Sequence, residues 1–534
     1  MSLTLKLGKR GRFAKVSSNQ MPNNNSILIV QVEPPQREDG GDYYYRTLAP
    51  GFAMAEEKGI YVINLTNVHR KKEEIMRKAD ILILKNICDP DILPLIRERK
   101  EQNKLTVYEL ADDLCAIPPW NPVHFFYKDH ENLLLFKRLA NYCDAIQFSV
   151  PELQKIYGLL SPSSMVFPNH ISFVPPEKNR KIRKQIIIGW GGSHGHLEDM
   201  AEVAGPLMDW IISKNNVHLY LMCSDPIWTL FEHLPAKLKR RFKPGSLNDY
   251  YAFLKKIDIG LAPLKNTPFN RSRSDIKFLE YAVHSVVPVV QALVPYTSTL
   301  KHGETGFLFE DASGMLDVLE ILTDDINLIS KVAQNAREYV IKERLQHNHA
   351  KERTDFYRNK LGNISKNEKG ENRAEDIFET LSNIEGASRN GRHLRLMPAR
   401  FENLLHDGLV LSQIDGELAS ACSLFSEASQ LEPNNYLSYL FGASCSGDTP
   451  GFLEQAVKRN PHSLKSWILL GEEYVKNGDI IKSLKCFESA AEIFPEYEIP
   501  YMRTASLLQK LGHKEESMYL FDKCKALIMP LQGH

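Results

Sequence analysis

From Ser26 onward, short β-rich runs alternate with longer amphipathic segments, and this alternation limits the folds available to the chain. The first set of runs reads ILIVQV, IYVINL, ADILILK, LTVYEL, AIQFSV and MVFPNHI, and the second reads QIIIGWGG, VHLYLMC, DIGLAP and VVPVV, with a helix expected near Pro235 to Arg241. Strands that alternate with helices form parallel sheets. We therefore predict an α/β fold of two doubly wound, Rossmann-like domains in tandem, with a ligand cleft between them at the carboxyl ends of the strands.

The chain has 534 residues, too many for one ordinary hydrophobic core. Changes in composition predict a disordered basic arm at 1–25, a first α/β domain at 26–178, a second α/β domain with closing helices at 179–361, a polar linker at 362–397 and helical repeats at 398–530. The linker is expected to hold at most one short helix, at Ala374 to Leu381.

The last region repeats with a fixed period. Gly478 and Gly512 are 34 residues apart, and so are Phe487 and Phe521, which is the length of a tetratricopeptide repeat. Weaker copies precede these two. Since each helix pair buries its apolar face only against a neighbour, we predict an all-α solenoid of about four repeats that binds a protein partner, with an ordinary helical bundle as the alternative.

Charge and cysteine content exclude several classes of function. The 66 basic and 66 acidic side chains balance, so nucleic acid is not expected as a partner. The eight cysteines form no CxxC pair, which argues against structural zinc and a disulfide framework. Without a signal peptide or membrane-spanning segment, a cytoplasmic location is the default, with at most peripheral membrane contact by the basic arm.

The stretch from Pro268 to Phe309 combines a polar loop, a short helix, a buried strand and a glycine turn. Ser272, Ser274 and Asp275 are candidate N-cap residues of this helix. Free backbone N–H groups at a helix start suit a phosphate, and Arg271 and Arg273 lie beside it. One polar stripe of the helix carries Lys277 and Glu280; the alternative is a weak surface ion pair between them.

A strand ending in a glycine-rich loop opens the second domain, and Gly191, Gly192, Ser193 and His194 are its candidate phosphate contacts. The loop lacks the third glycine of the dinucleotide-binding fingerprint. His194 and His196 also permit a metal site, but no cysteine or acid stands at a known ligand spacing.

Two further groups follow strands of the first domain. Asp112 and Asp113 come after LTVYEL, where they are candidates for contacting a ligand at the end of the strand or, alternatively, for capping the next turn. Gly40, Gly41 and Arg46 follow the first strand in a glycine loop rich in tyrosine, whose aromatic rings either stack on a sugar or start the helix.

The run KFLEYAV, followed by PVV, PY and GETGFLF, resembles the donor-site segment of the GT-B glycosyltransferases, in particular the retaining family 4. The resemblance implies that Glu280 holds the ribose of a nucleotide-sugar and that Lys277, Arg271 and Arg273 face its diphosphate. It also implies that Asp112 and Asp113 position an acceptor hydroxyl, that Gly40 and Gly41 belong to a loop that closes over donor and acceptor, and that no metal or other cofactor is needed.

The family usually carries a second glutamate eight positions before the first, near the donor sugar. That position is Ser272 here. We thus predict a glycosyltransferase that moves a sugar from a nucleotide-sugar to a glycan, lipid-linked glycan or protein. Alternatives are a non-catalytic scaffold built on the repeats, which Ser272 favours, and a GT-B nucleotide-sugar epimerase.

Overall fold

The computed structural model describes residues 26–35, 40–121, 123–177, 185–362 and 373–531. The predicted basic arm at 1–25 and the predicted boundary at 178/179 lie outside these residues. The strands are β1 Ile27–Glu33, β2 Ile60–Thr66, β3 Ile81–Lys85, β4 Leu105–Leu110, β5 Ala145–Phe148, β6 Ser164–Val166, β7 Ile186–Gly191, β8 Val217–Met222, β9 Lys239–Phe242, β10 Ile259–Ala262, β11 Val287–Gln291, β12 Phe307–Phe309, β13 Ala387–Asn390 and β14 His393–Leu396.

Helices cover both faces of the sheets, and from residue 400 to the end of the described chain the regular elements are all helical. Those up to residue 362 are α1 Gly41–Tyr43, α2 Ala49–Glu56, α3 Lys72–Lys78, α4 Ile92–Glu101, α5 His124–Tyr127, α6 His130–Tyr142, α7 Pro151–Tyr157, α8 Leu197–Ser213, α9 Asp225–Thr229, α10 Leu247–Leu254, α11 Pro268–Arg271, α12 Ile276–Val283, α13 Val294–Thr297, α14 Ala312–Asp324, α15 Ile326–Glu343 and α16 Gln346–Gly362. Those beyond are α17 Arg373–Ser382, α18 Arg400–Val410, α19 Leu418–Leu431, α20 Tyr436–Gly442, α21 Thr449–Arg459, α22 Leu464–Lys476, α23 Ile480–Ile493, α24 Glu498–Lys510 and α25 Lys514–Ile528.

Two parallel sheets organise the first two domains, which confirms the predicted α/β class. The second sheet has the order β12-β11-β10-β7-β8-β9, the strand order of a dinucleotide-binding domain. The first has the order β13-β14-β2-β1-β3-β4-β5-β6, and its direction of progression changes between β1 and β3. In such sheets ligands bind outside the carboxyl ends of the strands, near the point where the order reverses.

The described part of the range predicted as a linker, from residue 373 onward, instead belongs to the first domain. The expected short helix is present as α17, but β13 and β14 then form a hairpin, and β14 pairs in parallel with β2. Arg392 fixes this edge, since its guanidinium donates to the carbonyls of Glu56 at 3.0 Å and Glu57 at 2.9 Å. The hairpin was missed because both strands are only four residues long and the first, ASRN, has no alternation of apolar and polar residues.

A second prediction is wrong for most of its range. The basic segment near Pro235 to Arg241 was expected to be helical, but only Ala236–Leu238 forms a 3-10 turn, and Lys239–Phe242 forms the edge strand β9. Lys239 is held by its ammonium group, which donates to the carbonyl of Glu232 at 3.0 Å, and the helix lies later, at α10. Backbone pairing with β8 overrides the weak local propensity of this segment.

The chain crosses back from the second domain to the first in α16. Tyr357 of this helix is buried and donates to Gln147 Oε1 at 2.6 Å, and the Arg353 guanidinium lies 4.6 Å from the centre of the Phe167 ring. Residues predicted to close the second domain therefore also pack under the first sheet.

The helices from α18 to α25 form antiparallel pairs. The starts of α22 and α24, and likewise of α23 and α25, are 34 residues apart. Gly478 and Gly512 occupy the turns inside these pairs with φ of +79° and +90°, a left-handed conformation that favours glycine. The helical pairs pack on the first domain, where Arg138 Nη2 donates to Glu498 Oε2 at 2.7 Å and both side chains are buried.

No described helix combines the length and the apolar composition that crossing a bilayer requires.

Candidate active site

A cavity of about 440 Å³ lies between the two α/β domains. The carboxyl ends of β4 and β5 reach it from the first domain, through Asp112 and Ser149. The ends of β7, β8 and β10 reach it from the second, through Gly191, Met222 and Leu264. This is the edge of the sheets at which doubly wound folds bind ligands.

Helix α12 supplies one wall of this cavity. Its N-terminus is fixed by Asp275, which receives two hydrogen bonds from the Arg344 guanidinium, at 2.6 Å and 3.0 Å. Lys277 and Glu280 stand one turn apart and both line the cavity. Phe278 and Leu279 point away into the core and anchor the helix.

Lys277 is the cation nearest the glycine loop. Its ammonium group donates to the Gly191 carbonyl and to Tyr250 Oη, the latter at 2.9 Å, and it lies 4.4 Å from the centre of the Tyr250 ring. Burial lowers the pKa of Lys277, while Glu280 opposes this shift. The cation is therefore held at the end of β7, where an anionic ligand would relieve its desolvation.

Glu280 is 4% exposed and is enclosed by tyrosines from both domains. Tyr45 of the first domain donates to Glu280 Oε1 at 2.9 Å, and Tyr45 Oη is 2.8 Å from Tyr251 Oη. Because the Tyr45 proton is used on the carboxylate, Tyr251 must donate to Tyr45. Burial raises the pKa of Glu280, and Lys277 together with hydrogen bonds from Tyr45 and Tyr250 opposes the rise. The ligand-free carboxylate is thus already paired across the two domains.

The loop after β7 requires its glycines. A Cβ atom on Gly191 would lie 2.8 Å from the Tyr250 ring, and one on Gly192 would lie 2.6 Å from the Trp190 ring. Gly191, Gly192 and Ser193 line the cavity as the sequence predicted for donor contacts. His194 does not line it, but His196 does. The histidine that lines the cavity is therefore His196, two residues after the predicted His194.

His196 is a structural partner of the loop. Its Nδ1 lies 2.8 Å from Asp199 Oδ2, and burial, followed by the nearby Arg273, lowers the pKa of His196 to about 4. The ring is consequently neutral at physiological pH. No group of three metal-ligating side chains occurs in the described parts of the chain.

The two predicted arginines and the serine between them take different positions. Arg273 lines the cavity, with its guanidinium 5.3 Å from the centre of the Phe269 ring. Arg271 points elsewhere and donates to Asn266 Oδ1 at 2.8 Å. Ser272 is buried and does not line the cavity. The break between α11 and α12 at this point turns only Arg273 toward the site.

The first domain contributes Gly40, Gly41 and Arg46, all of which line the cavity. Arg46 lies in a π-helical turn, Tyr44–Leu48, between α1 and α2. Its Nε donates to Glu109 Oε1 at 2.6 Å and its Nη1 donates to Asn169 Oδ1 at 2.9 Å, while Nη2 is buried without a partner among the described residues. Such π-helical turns often occur at functional sites.

The two aspartates that follow β4, Asp112 and Asp113, point in different directions. Asp113 points inward, where it accepts hydrogen bonds from Tyr157 Oη and, at 3.2 Å, from the Cys115 N–H. It therefore caps the following turn. Asp112 lines the cavity and makes no hydrogen bond or ion pair with any described residue. Burial raises the pKa of Asp112, as does Asp42, while Arg273 opposes the rise.

Sequence reasoning missed the tyrosines and one asparagine of the site. Tyr45 and Tyr250 line the cavity, and so does Asn169, which the sequence suggested only as structural and which donates to Ser274 Oγ at 2.8 Å. The tyrosine-rich run at 43–45 was the one available signal, and it did not indicate which ring crosses to the second domain.

Comparison with protein-family models and with curated protein sequences finds no match. Among solved structures, similar ones include sucrose-phosphate synthase from Thermosynechococcus elongatus, 14% identical with a TM-score of 0.46, over 63% of this chain and 100% of that chain. HepE of Anabaena in complex with UDP-glucose is 12% identical with a TM-score of 0.46, over 62% and 99% of the two chains. A glycosyltransferase from Rickettsia africae is 13% identical with a TM-score of 0.48, over 64% and 100%.

Proposed function

We propose that this protein is a glycosyltransferase that moves a sugar from a nucleotide-sugar to an acceptor hydroxyl, with retention of the anomeric configuration. The observation that supports it most is the convergence of Glu280, Lys277, Arg273 and the loop 191–193 on one cavity between two doubly wound domains. A carboxylate suits the hydroxyls of a ribose, and a cation beside a glycine loop suits phosphates. Because these groups lie one helical turn apart, they match the two ends of a nucleoside diphosphate.

The second domain holds the donor. Glu280 accepts hydrogen bonds from the ribose hydroxyls after Tyr45 gives way, since its carboxylate is already paired in the ligand-free protein. Lys277 and Arg273 bind the diphosphate, with the backbone of Gly191 to Ser193 approaching it closely. Preorganised cations stabilise the negative charge that collects on the leaving diphosphate, which is the main electrostatic demand of the transfer.

The first domain holds the acceptor side. Arg46 Nη2, which has no protein partner among the described residues, is available to a donor phosphate or sugar oxygen. Asp112 accepts a hydrogen bond from the acceptor hydroxyl, because its carboxylate lies at the cavity wall and is unpaired among the described residues. Arg271, Ser272, His194 and Asp113 do not line the cavity, and they have no role in this proposal.

The remaining regions fit a cytoplasmic enzyme with a tetratricopeptide-like solenoid that engages a protein. The eight cysteines form no CxxC pair in the sequence, which supports a reducing compartment. Helix pairs with a 34-residue offset support the repeat assignment.

A non-catalytic scaffold is the second candidate. It is favoured by the tyrosine hydrogen bonds that occupy Glu280, and by Ser272, which stands where the resembling family carries an acid. In that case the cavity binds a nucleotide-sugar without turning it over.

A donor panel separates the two functions. Thermal stability of the full chain is measured with UDP-glucose, UDP-galactose, UDP-N-acetylglucosamine and GDP-mannose, and nucleoside diphosphate release is measured with acceptors present. A binding donor raises Tm because it binds only the native state. We expect one donor class to stabilise the protein and to release its diphosphate.

The variants Glu280→Ala and Lys277→Ala should abolish both effects. Lys342→Ala, at a lysine that is 81% exposed and remote from the cavity, is the matched control and should change neither. Stabilisation without release across the whole panel would support the scaffold instead, and stabilisation that persists in both site variants would disprove the assignment of the cavity.

A further inference from the structure

A second cavity, of about 560 Å³, lies between the first domain and the helical repeats. The carboxyl ends of β1, β2 and β3 form its floor, through Glu33, Asn67 and Lys85. Helix α5 forms one side. The opposite side comes from α18 and α20 of the repeats, with Phe441 among its residues. Neither the first domain nor the repeats would enclose this space alone.

The second cavity meets the donor cavity at two residues. Asp42 and Asp112 line both spaces. Asp42 is paired, because its carboxylate accepts a hydrogen bond from the Lys85 ammonium group, which it shares with Glu33. Asp112 has no such partner among the described residues. An unpaired carboxylate thus stands where a molecule in the second cavity would reach the anomeric carbon of a donor in the first.

The charge of the second cavity selects against anions. Five carboxylates line it, namely Glu33, Asp42, Asp89, Asp91 and Asp112. Three ammonium groups line it, namely Lys72, Lys85 and Lys465. A phosphate-bearing lipid would bring two or more negative charges into this excess of carboxylates, where like charges repel strongly. A neutral or cationic molecule is favoured.

The apolar walls select against a free glycan. Phe125, Phe126, Leu437, Leu440 and Phe441 all line the space. Sugar hydroxyls buried against such side chains would lose hydrogen bonds to water without replacement. Besides the charged groups, four side-chain amides line the space and can pair with a peptide backbone: Asn67, Asn86, Asn121 and Gln413. Asn86 Oδ1 is buried without a hydrogen-bond partner among the described residues, and is therefore a free acceptor for an N–H group.

We propose that the second cavity binds an extended polypeptide segment of the acceptor, with a serine or threonine hydroxyl placed at Asp112. Apolar side chains of the segment lie on the phenylalanines, its backbone amides meet the asparagines, and a basic side chain beside the hydroxyl pairs with the excess carboxylates. This proposal rests on the proposed glycosyltransferase function and adds the class of its acceptor.

The transfer balances with these groups alone. The bond from the anomeric carbon to the diphosphate oxygen breaks, and its electron pair remains on the diphosphate. The hydroxyl oxygen, oriented by Asp112, supplies the pair for the new bond to the anomeric carbon. Its proton passes to the departing diphosphate, whose basicity rises as it gains charge. The products are a glycosylated side chain and a nucleoside diphosphate.

Tritium-labelled UDP-glucose, UDP-N-acetylglucosamine and GDP-mannose are each incubated with the full-length protein and an arrayed library of short peptides with one central serine or threonine. Undecaprenyl phosphate in phosphatidylcholine vesicles and dextran oligosaccharides are tested in parallel. In a second measurement, p-benzoylphenylalanine at position 123, where the native valine is 47% exposed on the cavity rim, is irradiated with the peptides. We expect labelled peptides enriched in basic and apolar residues, and crosslinks to the same peptides.

Two cavity variants and two controls complete the test. Phe125 is 44% exposed, so Phe125→Ala should leave folding intact and raise KM for the peptide about tenfold. Gln413→Trp should do the same by filling the cavity. Leu159→Ala and Tyr519→Ala, at residues 82% and 72% exposed on other faces, should have no effect. Donor binding, followed by thermal shift, should be equal in all four variants.

Three other outcomes would each overturn a different part of the proposal. Labelled vesicles or oligosaccharides with unlabelled peptides would overturn the polypeptide proposal and leave the glycosyltransferase function standing. Labelled peptides with unchanged KM in both cavity variants would overturn the cavity assignment. Peptide crosslinks in a protein that no donor stabilises would support the polypeptide site while refuting the enzyme.

Discussion

The pairing between Glu280 and the donor ribose can be measured with a cycle that changes the protein and the ligand separately. Glu280→Gln keeps the shape of the side chain and removes its charge. Dideoxy-UDP, which lacks both ribose hydroxyls, removes the ligand groups. If the carboxylate binds these hydroxyls, the loss from changing both should be smaller than the sum of the two separate losses.

A hydrogen bond of the ligand-free protein limits the size of this coupling energy. A hydrogen bond to a charged carboxylate is worth about 1.5–3 kcal/mol, but binding must first displace the hydrogen bond that Tyr45 donates to Glu280 at 2.9 Å. The net coupling is then about 1–2 kcal/mol, or roughly 5- to 30-fold in Kd. Tyr45→Phe removes the competing hydroxyl, so it should tighten UDP binding and leave dideoxy-UDP binding nearly unchanged.

Isothermal titration calorimetry gives the four Kd values, and a pH of 8 is used because burial raises the pKa of Glu280 and a higher pH favours its ionised form. Lys342→Ala is the control for a remote charge change. A coupling energy below about 0.5 kcal/mol, the usual limit of additivity between independent groups, would refute the ribose assignment of Glu280. Weaker UDP binding in Tyr45→Phe would show that Tyr45 stays on the carboxylate when the ligand is bound.

Three further predictions concern charge. Lys277→Met should weaken UDP binding about 10- to 150-fold and leave uridine binding unchanged, because a charge-assisted hydrogen bond to phosphate is lost; an equal loss for both ligands in calorimetry would contradict this. Glu109→Gln should lower the free energy of unfolding in urea by about 3–5 kcal/mol, because it leaves Arg46 and Arg353, 1% and 3% exposed, as buried cations without a counterion; a loss below about 1 kcal/mol would contradict it. Burial lowers the pKa of His393 to about 3, against about 6.5 unfolded. The unfolded chain therefore binds the extra proton, and stability falls as the pH drops below 6.5. Between pH 7.5 and pH 5 this residue should cost about 2 kcal/mol, and His393→Phe should reduce the pH dependence of the urea midpoint accordingly; identical pH dependence in both proteins would exclude the effect.

Much of the cavity wall could be predicted from the sequence because its residues follow strand ends or a helical stripe. Gly191 and Asp112 come directly after strands, and the carboxyl ends of parallel strands share one edge. Lys277 and Glu280 are three residues apart on one helix, so the helical period places them on the same wall. Local periodicity is sufficient for these positions.

The tyrosine contacts could not be predicted in this way. Tyr45 and Glu280 are 235 residues apart, and their hydrogen bond exists only because α16 and the 167–175 segment hold the two domains together. The same limit explains the two arginines. Arg271 and Arg273 differ in direction because the chain turns between α11 and α12, and composition does not report the angle of that turn.

The repeats and the first domain form one body in which the second cavity is fixed. Asp91 is buried between them and accepts hydrogen bonds from Tyr436 Oη at 3.0 Å, Ser463 Oγ at 2.8 Å and the Lys465 N–H at 3.0 Å. Leu464 and Phe494 of the repeats belong to the same apolar core as the first sheet. Separating these parts would expose that core and leave a buried carboxylate without donors, which is costly. A movement that parts the second domain from this combined body would break contacts such as Tyr45 with Glu280 and Asn169 with Ser274. If the proposed polypeptide site is correct, such a movement would leave its shape unchanged, so a bound acceptor could remain in place during donor exchange.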